Sequence, residues 1–384
     1  MNIVKWIKKE LLLIPFYLFR IFPIDNKKIV VCNYAGREYS GEGKIVVDAL
    51  LKKRKDLKII WLSRSCKDKA PKGVKLVKYL SLVSLYHQAT AKVWVDNKRK
   101  PGYVRKRKGQ YYVQTWHGDI CIKTVEKDGV KGLTPYYIEN AKRDSKMADL
   151  FVSGSEWRSR NFRKAFWYTG EIMKCNIYSG FYLPENLSKL KKSVYKYFGE
   201  PKDTKFVLYA PTFRNSHSLE CYDIDYNRLI ANLEEKFGGK WKVLVRLHPN
   251  ISFSDGQIKY TDKVLNATAY PQINDLIISS EMLISDYSGC MFEGIKNYKI
   301  VMLYASDLED YLSKERDTYF DIRKLPAVLA QNNDELENNI LTFDRKEYLK
   351  ECKKFVKKTG YYENTDVSML ADRICEVCDG KYNK

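Results

Sequence analysis

Short apolar runs alternate with helix-length polar segments along most of the chain. The runs are rich in β-branched residues and almost continuously apolar, which is typical of parallel strands covered by helices on both faces. This alternation predicts an α/β fold with doubly wound sheets. The runs lie at residues 27–34, 57–63, 74–80, 91–97, 111–117, 149–155, 205–212, 241–249, 263–270, 281–288 and 299–305.

A polar stretch over residues 185–205 divides these runs into two sets. Domains usually contain about 100–200 residues, so a chain of 384 residues suits two of them. We therefore expect an N-terminal α/β domain over 26–195 and a C-terminal α/β domain over 196–384 that ends in basic helices. Ligands of such sheets bind beyond the carboxyl ends of the strands, so we expect the two domains to share a cleft there.

Residues 1–25 are expected to form a separate amphipathic helix. The apolar stretch 11–19 is too short to span a bilayer, which takes about 20 apolar residues. Lysines precede this stretch, Arg20 follows it, and aromatic residues occur throughout. Such a combination is typical of a helix lying in a membrane interface. A helix that packs on the first domain is the alternative.

The formal net charge of +21, from 68 Lys+Arg and 47 Asp+Glu, indicates an anionic partner. The densest basic run, residues 98–108, contains a Pro-Gly turn and is predicted to be an exposed loop. This loop could contact lipid headgroups or an acceptor diphosphate, or it could simply be solvated. The 29 tyrosines leave a nucleic-acid-binding protein as another alternative. Nine scattered cysteines favour reduced thiols in the cytosol.

Two of the four histidines close predicted strands in opposite halves of the chain. His117 ends YYVQTWH and is followed by Gly118, and His248 ends WKVLVRLH and is followed by Pro249. Imidazole can accept a proton near neutral pH, so both are candidate general bases that face a cleft. A hydrogen-bonded structural role is the alternative for each.

Polar residues near the ends of other predicted strands could hold phosphate oxygens. In KFVLYAPTFR, Thr212 offers a hydroxyl and Arg214 a guanidinium. Arg246 lies two positions before His248, so strand alternation places both side chains on one face.

The segment SDYSGCMFEG predicts the end of a strand followed by the start of a helix. Asp286 and Ser288 lie at this start, where backbone N–H groups and a hydroxyl can bind an anion. Glu293 could accept hydrogen bonds from ribose hydroxyls. A plain helix cap with a surface glutamate is the alternative.

Together these segments resemble the CDP-glycerol glycerophosphotransferase family, which builds teichoic-acid-type polymers. The match runs over residues 30–330 through AKVWVDN, QTWHGD, VSGSEW, YAPTFR, RLHPN, YPQINDLI and SDYSGCMFEG. The resemblance implies a GT-B-like architecture and a peripheral position on the cytoplasmic face of the cell membrane. It also implies a CDP-glycerol donor and an undecaprenyl-diphosphate-linked saccharide or polymer as acceptor, with an anionic membrane surface as partner. No metal, cofactor or nucleic acid is expected.

By this resemblance, His117 is the base that deprotonates an acceptor hydroxyl, which attacks the β-phosphate of the donor and displaces CMP. His248 would hold or protonate the phosphate. The resemblance and the strand-end residues together give this expected substrate-binding set: Trp116, Gly118, Asp119, Pro211, Thr212, Arg214, Arg246, Asp286, Tyr287, Ser288, Gly289, Glu293 and Arg316.

The sequence departs from the family pattern at three of the motifs. Asp119 follows Trp-His-Gly, Glu185 replaces a usual arginine, and Gly289 replaces the second serine of Asp-Tyr-Ser-Ser. These changes bear on the donor or acceptor rather than on the fold. CDP-ribitol or another CDP-polyol is the nearest alternative donor, and a nucleotide-sugar glycosyltransferase is a further alternative.

Overall fold

The computed structural model describes residues 11–37, 39–177, 184–212, 223–247, 258–314 and 317–382. The chain divides into two compact units. The first contains Met1–Asp119, Val125–Phe181 and Tyr361–Lys384, and the second contains Ile120–Thr124 and Tyr182–Gly360.

The described elements follow the alternation that the sequence predicts. The strands are β1 Asp25–Cys32, β2 Lys58–Ser63, β3 Val74–Lys78, β4 Ala91–Asp96, β5 Tyr111–Gln114, β6 Leu150–Ser153, β7 Glu171–Lys174, β8 Lys205–Tyr209, β9 Trp241–Val245, β10 Val264–Asn266, β11 Met282–Ser285, β12 Ile300–Tyr304 and β13 Val328–Ala330. The α-helices are α1 Leu13–Leu18, α2 Gly41–Lys53, α3 Leu82–Thr90, α4 Pro135–Met147, α5 Glu156–Ala165, α6 Pro184–Phe198, α7 Tyr226–Phe237, α8 Ile273–Ser279, α9 Cys290–Lys296, α10 Leu308–Lys314, α11 Asn333–Leu341, α12 Arg345–Thr359 and α13 Ser368–Cys378.

The first unit is built on a parallel sheet of order β3-β2-β1-β4-β5-β6-β7. Successive residues of β1 face opposite sides, so Ile29 packs in one core with α2 and α13. Val30 packs in the other core, with Phe16 of α1 and Leu85 of α3. The chain changes direction across the sheet between β1 and β4, which is the position where doubly wound sheets bind ligands.

The second unit repeats this plan with the order β10-β9-β8-β11-β12-β13, and its direction changes between β8 and β11. Val207 and Ile284 of these two strands pack in one core with Leu233 of α7. A Cβ at Gly294 of α9 would lie 2.6 Å from a methyl group of Val301, so glycine allows this helix to approach β12 closely. Two doubly wound α/β units confirm the predicted fold class.

Every apolar run identified in the sequence contains a strand, but two of the described strands lie outside these runs. These are β7 and β13, at one edge of each sheet. β7 has one buried residue among its four and β13 has only three residues, so neither makes the long apolar run of a central strand.

The predicted C-terminal domain, residues 196–384, differs from the second unit at both of its ends. Helix α6 belongs to the second unit, although the prediction placed most of it before the boundary at 195. Helix α13 belongs to the first unit, because its apolar residues Leu370, Ala371 and Ile374 complete the core around α2.

The basic run 98–108 is not the exposed loop that its composition predicts. Tyr103 and Val104 are buried. Lys100 forms a buried ion pair with Asp96 at 3.1 Å, and Lys106 pairs with Asp149. Most of the run therefore packs on the first unit, and much of its charge is neutralised there.

The described part of the N-terminal segment has two faces. Phe16 is fully buried in the core, as expected of a packing helix. Leu18 and Ile21 lie on the surface, 62% and 80% exposed. Residues 1–10 are outside the described ranges, and Asp25 already belongs to β1. Within the residues described, no helix has the length and apolar character needed to cross a membrane.

Candidate active site

His117 lies three residues beyond β5, next to the direction change of the first sheet between β1 and β4. Its Nδ1 atom is 2.6 Å from the backbone carbonyl oxygen of Asn97, which directly follows β4. A carbonyl can only accept a hydrogen bond, so Nδ1 must carry the hydrogen. The neutral ring therefore has its lone pair on Nε2, which is the arrangement a general base needs.

Asn97 is itself held from two sides. Its Oδ1 accepts a hydrogen bond from the backbone N–H of Tyr34 at 2.7 Å, and its Nδ2 donates to Glu42 at 3.0 Å. Glu42 is buried in the first turn of α2. The sequence analysis did not name Asn97, although an asparagine directly after a buried strand, within the quoted segment AKVWVDN, was an available signal.

The turn around His117 has an unusual backbone. Trp116 has φ +59° and Gly118 has φ +103°, and such a conformation costs a side-chain-bearing residue about 1–3 kcal/mol. Two contacts hold Trp116 in place. Its backbone N–H donates a hydrogen bond to the side-chain oxygen of Gln114 at 2.9 Å, and the centre of its ring lies 4.6 Å from the centre of the Phe166 ring. The Trp116 ring also packs against the His117 ring, with 4.4 Å between centroids.

Burial and nearby cations keep the His117 ring neutral. Desolvation, with smaller contributions from the charges of Lys98, Arg158 and Arg99, lowers its pKa to about 4, although the hydrogen bond to Asn97 acts in the opposite direction. The ring is only half-buried, so a substrate can still reach it. At neutral pH, His117 therefore needs no prior deprotonation to act as a base.

Asp119 anchors the other end of this turn. Its Oδ1 accepts a hydrogen bond from the backbone N–H of Gly154, just beyond β6, at 3.0 Å. The carboxylate is buried and lines a small pocket together with Arg158 and Asn176. The residue that departs from the family pattern thus joins the ends of β5 and β6.

In the second unit, Asp286 organises the direction change between β8 and β11. Its carboxylate accepts hydrogen bonds from the N–H of Thr212 at 2.8 Å and from the Thr212 hydroxyl at 2.5 Å. It also accepts one from the N–H of Tyr287 at 2.6 Å. Asp286 is buried, and its hydrogen bonds with Thr212 fix the Pro211–Thr212 turn.

The residues after Asp286 divide into buried and accessible ones. The Tyr287 ring stacks on Tyr311 at 3.5 Å. Ser288 is half-buried and Gly289 is exposed, directly before α9. Glu293 of α9 is buried, and its carboxylate lies 3.6 Å from the ammonium group of Lys296. Ser288 and Gly289 are thus more accessible than Tyr287 and Glu293 in this predicted set.

The family model described as CDP-glycerol:poly(glycerophosphate) glycerophosphotransferase matches residues 14–377. The chain belongs to this family. Membership makes it a transferase of the polyol-phosphate class.

Several relatives bear teichoic acid names. The chain is 26% identical over 387 residues to the teichoic acid poly(glycerol phosphate) polymerase of Bacillus spizizenii, covering 97% of this chain and 93% of the relative. It is 29% identical over 335 residues to the teichoic acid ribitol-phosphate primase of the same organism, covering 84% of each. The structure of the wall teichoic acid polymerase TagF has a TM-score of 0.83 and 22% identity over 98% of both chains. This likeness confirms the GT-B-like fold.

Arg246 is the remaining predicted residue of this glycerophosphotransferase family member that lies within the described ranges. Arg246 directly follows β9, and its guanidinium donates hydrogen bonds to the carbonyl oxygens of Ala267 and Tyr270. Arg214, His248 and Arg316 lie outside the described residues. The described site residues therefore form two groups, one around His117 and one around Asp286.

Proposed function

We propose that this enzyme transfers glycerol phosphate from CDP-glycerol to a hydroxyl group of a membrane-lipid-linked acceptor in teichoic acid synthesis or the synthesis of a related cell-wall or capsular polymer, and releases CMP. The observation that carries the proposal is the 2.6 Å contact between His117 Nδ1 and the Asn97 carbonyl oxygen. This contact leaves Nε2 as the proton acceptor. Family membership supplies the class of donor.

In the proposed reaction, Nε2 of His117 takes the proton of the acceptor hydroxyl. The acceptor oxygen then attacks the β-phosphorus of CDP-glycerol, and the bond from that phosphorus to the bridging oxygen breaks. CMP leaves with the electron pair, and a phosphodiester forms. His248 is proposed to hold or protonate the phosphate.

The donor is proposed to bind at the second unit. Thr212, held by Asp286, would place the end of β8 beside the diphosphate. Ser288 would donate a hydrogen bond from its hydroxyl to the diphosphate, next to Gly289 at the end of β11. Glu293 is proposed to contact the ribose. The further proposed donor contacts are Pro211, Arg214, Arg246, Tyr287 and Arg316, and Trp116, Gly118 and Asp119 are proposed to shape the acceptor side.

CDP-ribitol is the second candidate donor. The relative named as a ribitol-phosphate primase has a higher identity to this chain than the glycerol phosphate polymerase, 29% against 26%. Both donors carry the same nucleotide and differ only in the length of the polyol. A direct comparison of the two is therefore part of the test.

The first test is thermal unfolding with CDP-glycerol, CDP-ribitol, UDP-GlcNAc or CMP. A ligand at 100 times its dissociation constant stabilises a protein by about 2.7 kcal/mol. We expect CDP-glycerol to give the largest increase in melting temperature and UDP-GlcNAc little. A larger increase with CDP-ribitol would identify CDP-ribitol as the donor. The absence of an increase with any cytidine ligand would contradict the proposal.

The second test removes the proposed base. His117→Ala should lower transfer of glycerol phosphate by about 10²–10⁴-fold, the usual contribution of a general base. His87→Ala is the control, because it removes the imidazole of a histidine that lies in α3 rather than in the turn after β5. Full activity of His117→Ala would exclude this mechanism.

We further propose that the enzyme is a peripheral protein on the cytoplasmic face of the cell membrane. The exposed apolar residues around α1 support this proposal, since they would be stabilised by contact with the membrane interface. The proposed acceptor is an undecaprenyl-diphosphate-linked saccharide or polymer.

A further inference from the structure

Three cationic side chains near His117 form no ion pair with a carboxylate among the described residues. In the described part of the chain, Lys98, Arg37 and Arg64 take part in no ion pair. The next two residues of the basic run differ, because Arg99 pairs with Glu126 and Asp144 and Lys100 with Asp96. The three side chains are therefore a local excess of positive charge.

Lys98 has a fixed position beside the proposed base. Its backbone N–H donates to Asp96 at 3.0 Å, and its carbonyl oxygen accepts from the side-chain amide of Gln114 at 3.0 Å. Its ammonium group lies 6.0 Å from the centre of the Tyr34 ring. The Tyr34 ring lies in turn 5.9 Å from the His117 ring.

The end of β1 brings the two arginines to the same place. Tyr34, Ala35 and Gly36 all have positive φ angles, which turns the chain sharply before Arg37. Arg64 is tied to this turn, because its Nε donates to the carbonyl oxygen of Ala35 at 2.8 Å. Burial lowers the pKa of Lys98, and the charges of Arg37 and Arg64 lower it further, while the charge of Asp96 acts in the opposite direction. The pKa shift is as expected of cations held close together.

Like charges that are close together repel one another unless an anion joins them. Because these cations lie beside His117, the anion that they bind must be part of a molecule that also reaches His117. Guanidinium and ammonium groups match phosphate oxygens well. We propose that Lys98, Arg37 and Arg64 bind a phosphate group of the acceptor, next to the hydroxyl that His117 deprotonates. This inference rests on the proposed function, because it uses His117 as the base on the acceptor side.

An acceptor phosphate could come from two sources with the same chemistry. One is a phosphodiester of the growing polyol-phosphate polymer, and the other is the diphosphate that joins a saccharide to a prenyl carrier. Either would place phosphate oxygens beside the attacking hydroxyl group. Acceptors that contain only one of these groups distinguish the two.

The test uses the full chain with Lys98→Gln, Lys98→Arg and a control, Lys52→Gln. Lys52 is exposed in the last turn of α2, about 16 Å along the helix axis from its start beside the site. Its substitution removes the same charge at a distant position. The substrates are a soluble glycerol phosphate oligomer and a prenyl-diphosphate-linked saccharide that lacks glycerol phosphate.

We expect Lys98→Gln to raise the KM for the acceptor about tenfold, the equivalent of 1.4 kcal/mol. The KM for CDP-glycerol and the thermal shift with CDP-glycerol should not change. Lys98→Arg should restore most of the affinity, because it keeps the charge. An effect on the oligomer alone identifies the polymer phosphodiester, and an effect on the prenyl diphosphate alone identifies the carrier.

Equal acceptor KM values for Lys98→Gln and Lys52→Gln, with both substrates, would overturn the inference. Direct titration of each acceptor onto the protein separates this failure from a failure of the proposed function. If the wild-type chain transfers nothing from CDP-glycerol, the proposed function is wrong. Weaker binding of either acceptor by Lys98→Gln than by Lys52→Gln would even then support the phosphate site, and equal binding of both acceptors would reject it.

Discussion

At the scale of single residues, the tautomer and the pKa of His117 have separate structural causes. The carbonyl oxygen of Asn97 fixes the hydrogen on Nδ1, whereas burial and neighbouring cations lower the pKa. A base with a lowered pKa is a weaker base, but all of it is in the active, neutral form at neutral pH. The effectiveness of His117 as a general base must then come from its position, which the hydrogen bonds of Asn97 fix.

This environment predicts the pH dependence of the reaction. The pKa of His117 is lowered to about 4, so the neutral base persists well below pH 6.5 and is lost only as the pH falls through about 4. We expect kcat/KM to stay level on the acidic side down to about pH 5 and to fall below it. A decline centred near pH 6.5 would contradict the buried, cation-flanked histidine.

Two controls belong to this pH profile. Enzyme returned from pH 4 to pH 7 must regain its activity, which separates titration from unfolding. Lys98→Gln should move the acidic limb to higher pH, because the Lys98 charge is one cause of the lowered pKa.

At the scale of elements, the sequence locates His117 but not its partner. A histidine followed by glycine at the end of an apolar run indicates a ligand-facing turn. Asn97 follows another strand, however, and only the sheet order brings β4 between β1 and β5. A linear pattern contains no information on that order, so the Tyr34–Asn97–His117 arrangement could not be predicted.

The basic run failed as a prediction for a related reason. Its composition indicates solvent exposure, but its charges pair with Asp96, Glu126, Asp144 and Asp149, which lie in or beside other elements of the first unit. Glu126, Asp144 and Asp149 are distant from the run in the sequence. Composition therefore overestimated the free charge of this run and missed that Lys98 differs from its neighbours.

The turn after β5 allows a test of backbone conformation. Gly118 has φ +103° and no atom within 4 Å of an added Cβ, so Gly118→Ala introduces backbone strain without a steric clash. We expect a loss of stability of about 1–3 kcal/mol and a clear loss of transfer activity. Denaturant unfolding and the transfer assay measure the two effects.

Gly199→Ala provides the matched control. Gly199, after α6, also has a positive φ of +69° and no atom within 4 Å of an added Cβ. This variant should lose stability but keep its activity. Equal activity of the two variants would show that the backbone of the His117 turn is unimportant for the reaction.

At the scale of the whole molecule, a large positive charge coexists with a group of exposed apolar residues. The sequence predicted the apolar and basic character of the N-terminal segment, but it could not decide between a membrane helix and a packing helix. The structure shows that the described part does pack, through Phe16, and still presents Leu18 and Ile21 on the surface. Removing the segment would therefore open the core as well as the surface.

Substitutions on the exposed side test membrane attachment without disturbing the core. Leu18→Glu combined with Ile21→Glu should weaken co-sedimentation with vesicles that contain anionic phospholipid, because charged groups resist the apolar interface. Tyr298→Glu combined with Met369→Glu is the control, since both residues are exposed apolar side chains elsewhere. Equal binding of the two double variants would reject attachment through this surface.

The assignment of α13 to the first unit has a consequence for how the protein is made. The core around α2 lacks Leu370, Ala371 and Ile374 until the end of the chain has been synthesised. At about 5–20 residues per second, a ribosome needs about 10–40 s to proceed from residue 181 to residue 370. During that interval the nascent first unit exposes an unfinished apolar face, so the cell must protect it from aggregation until translation ends.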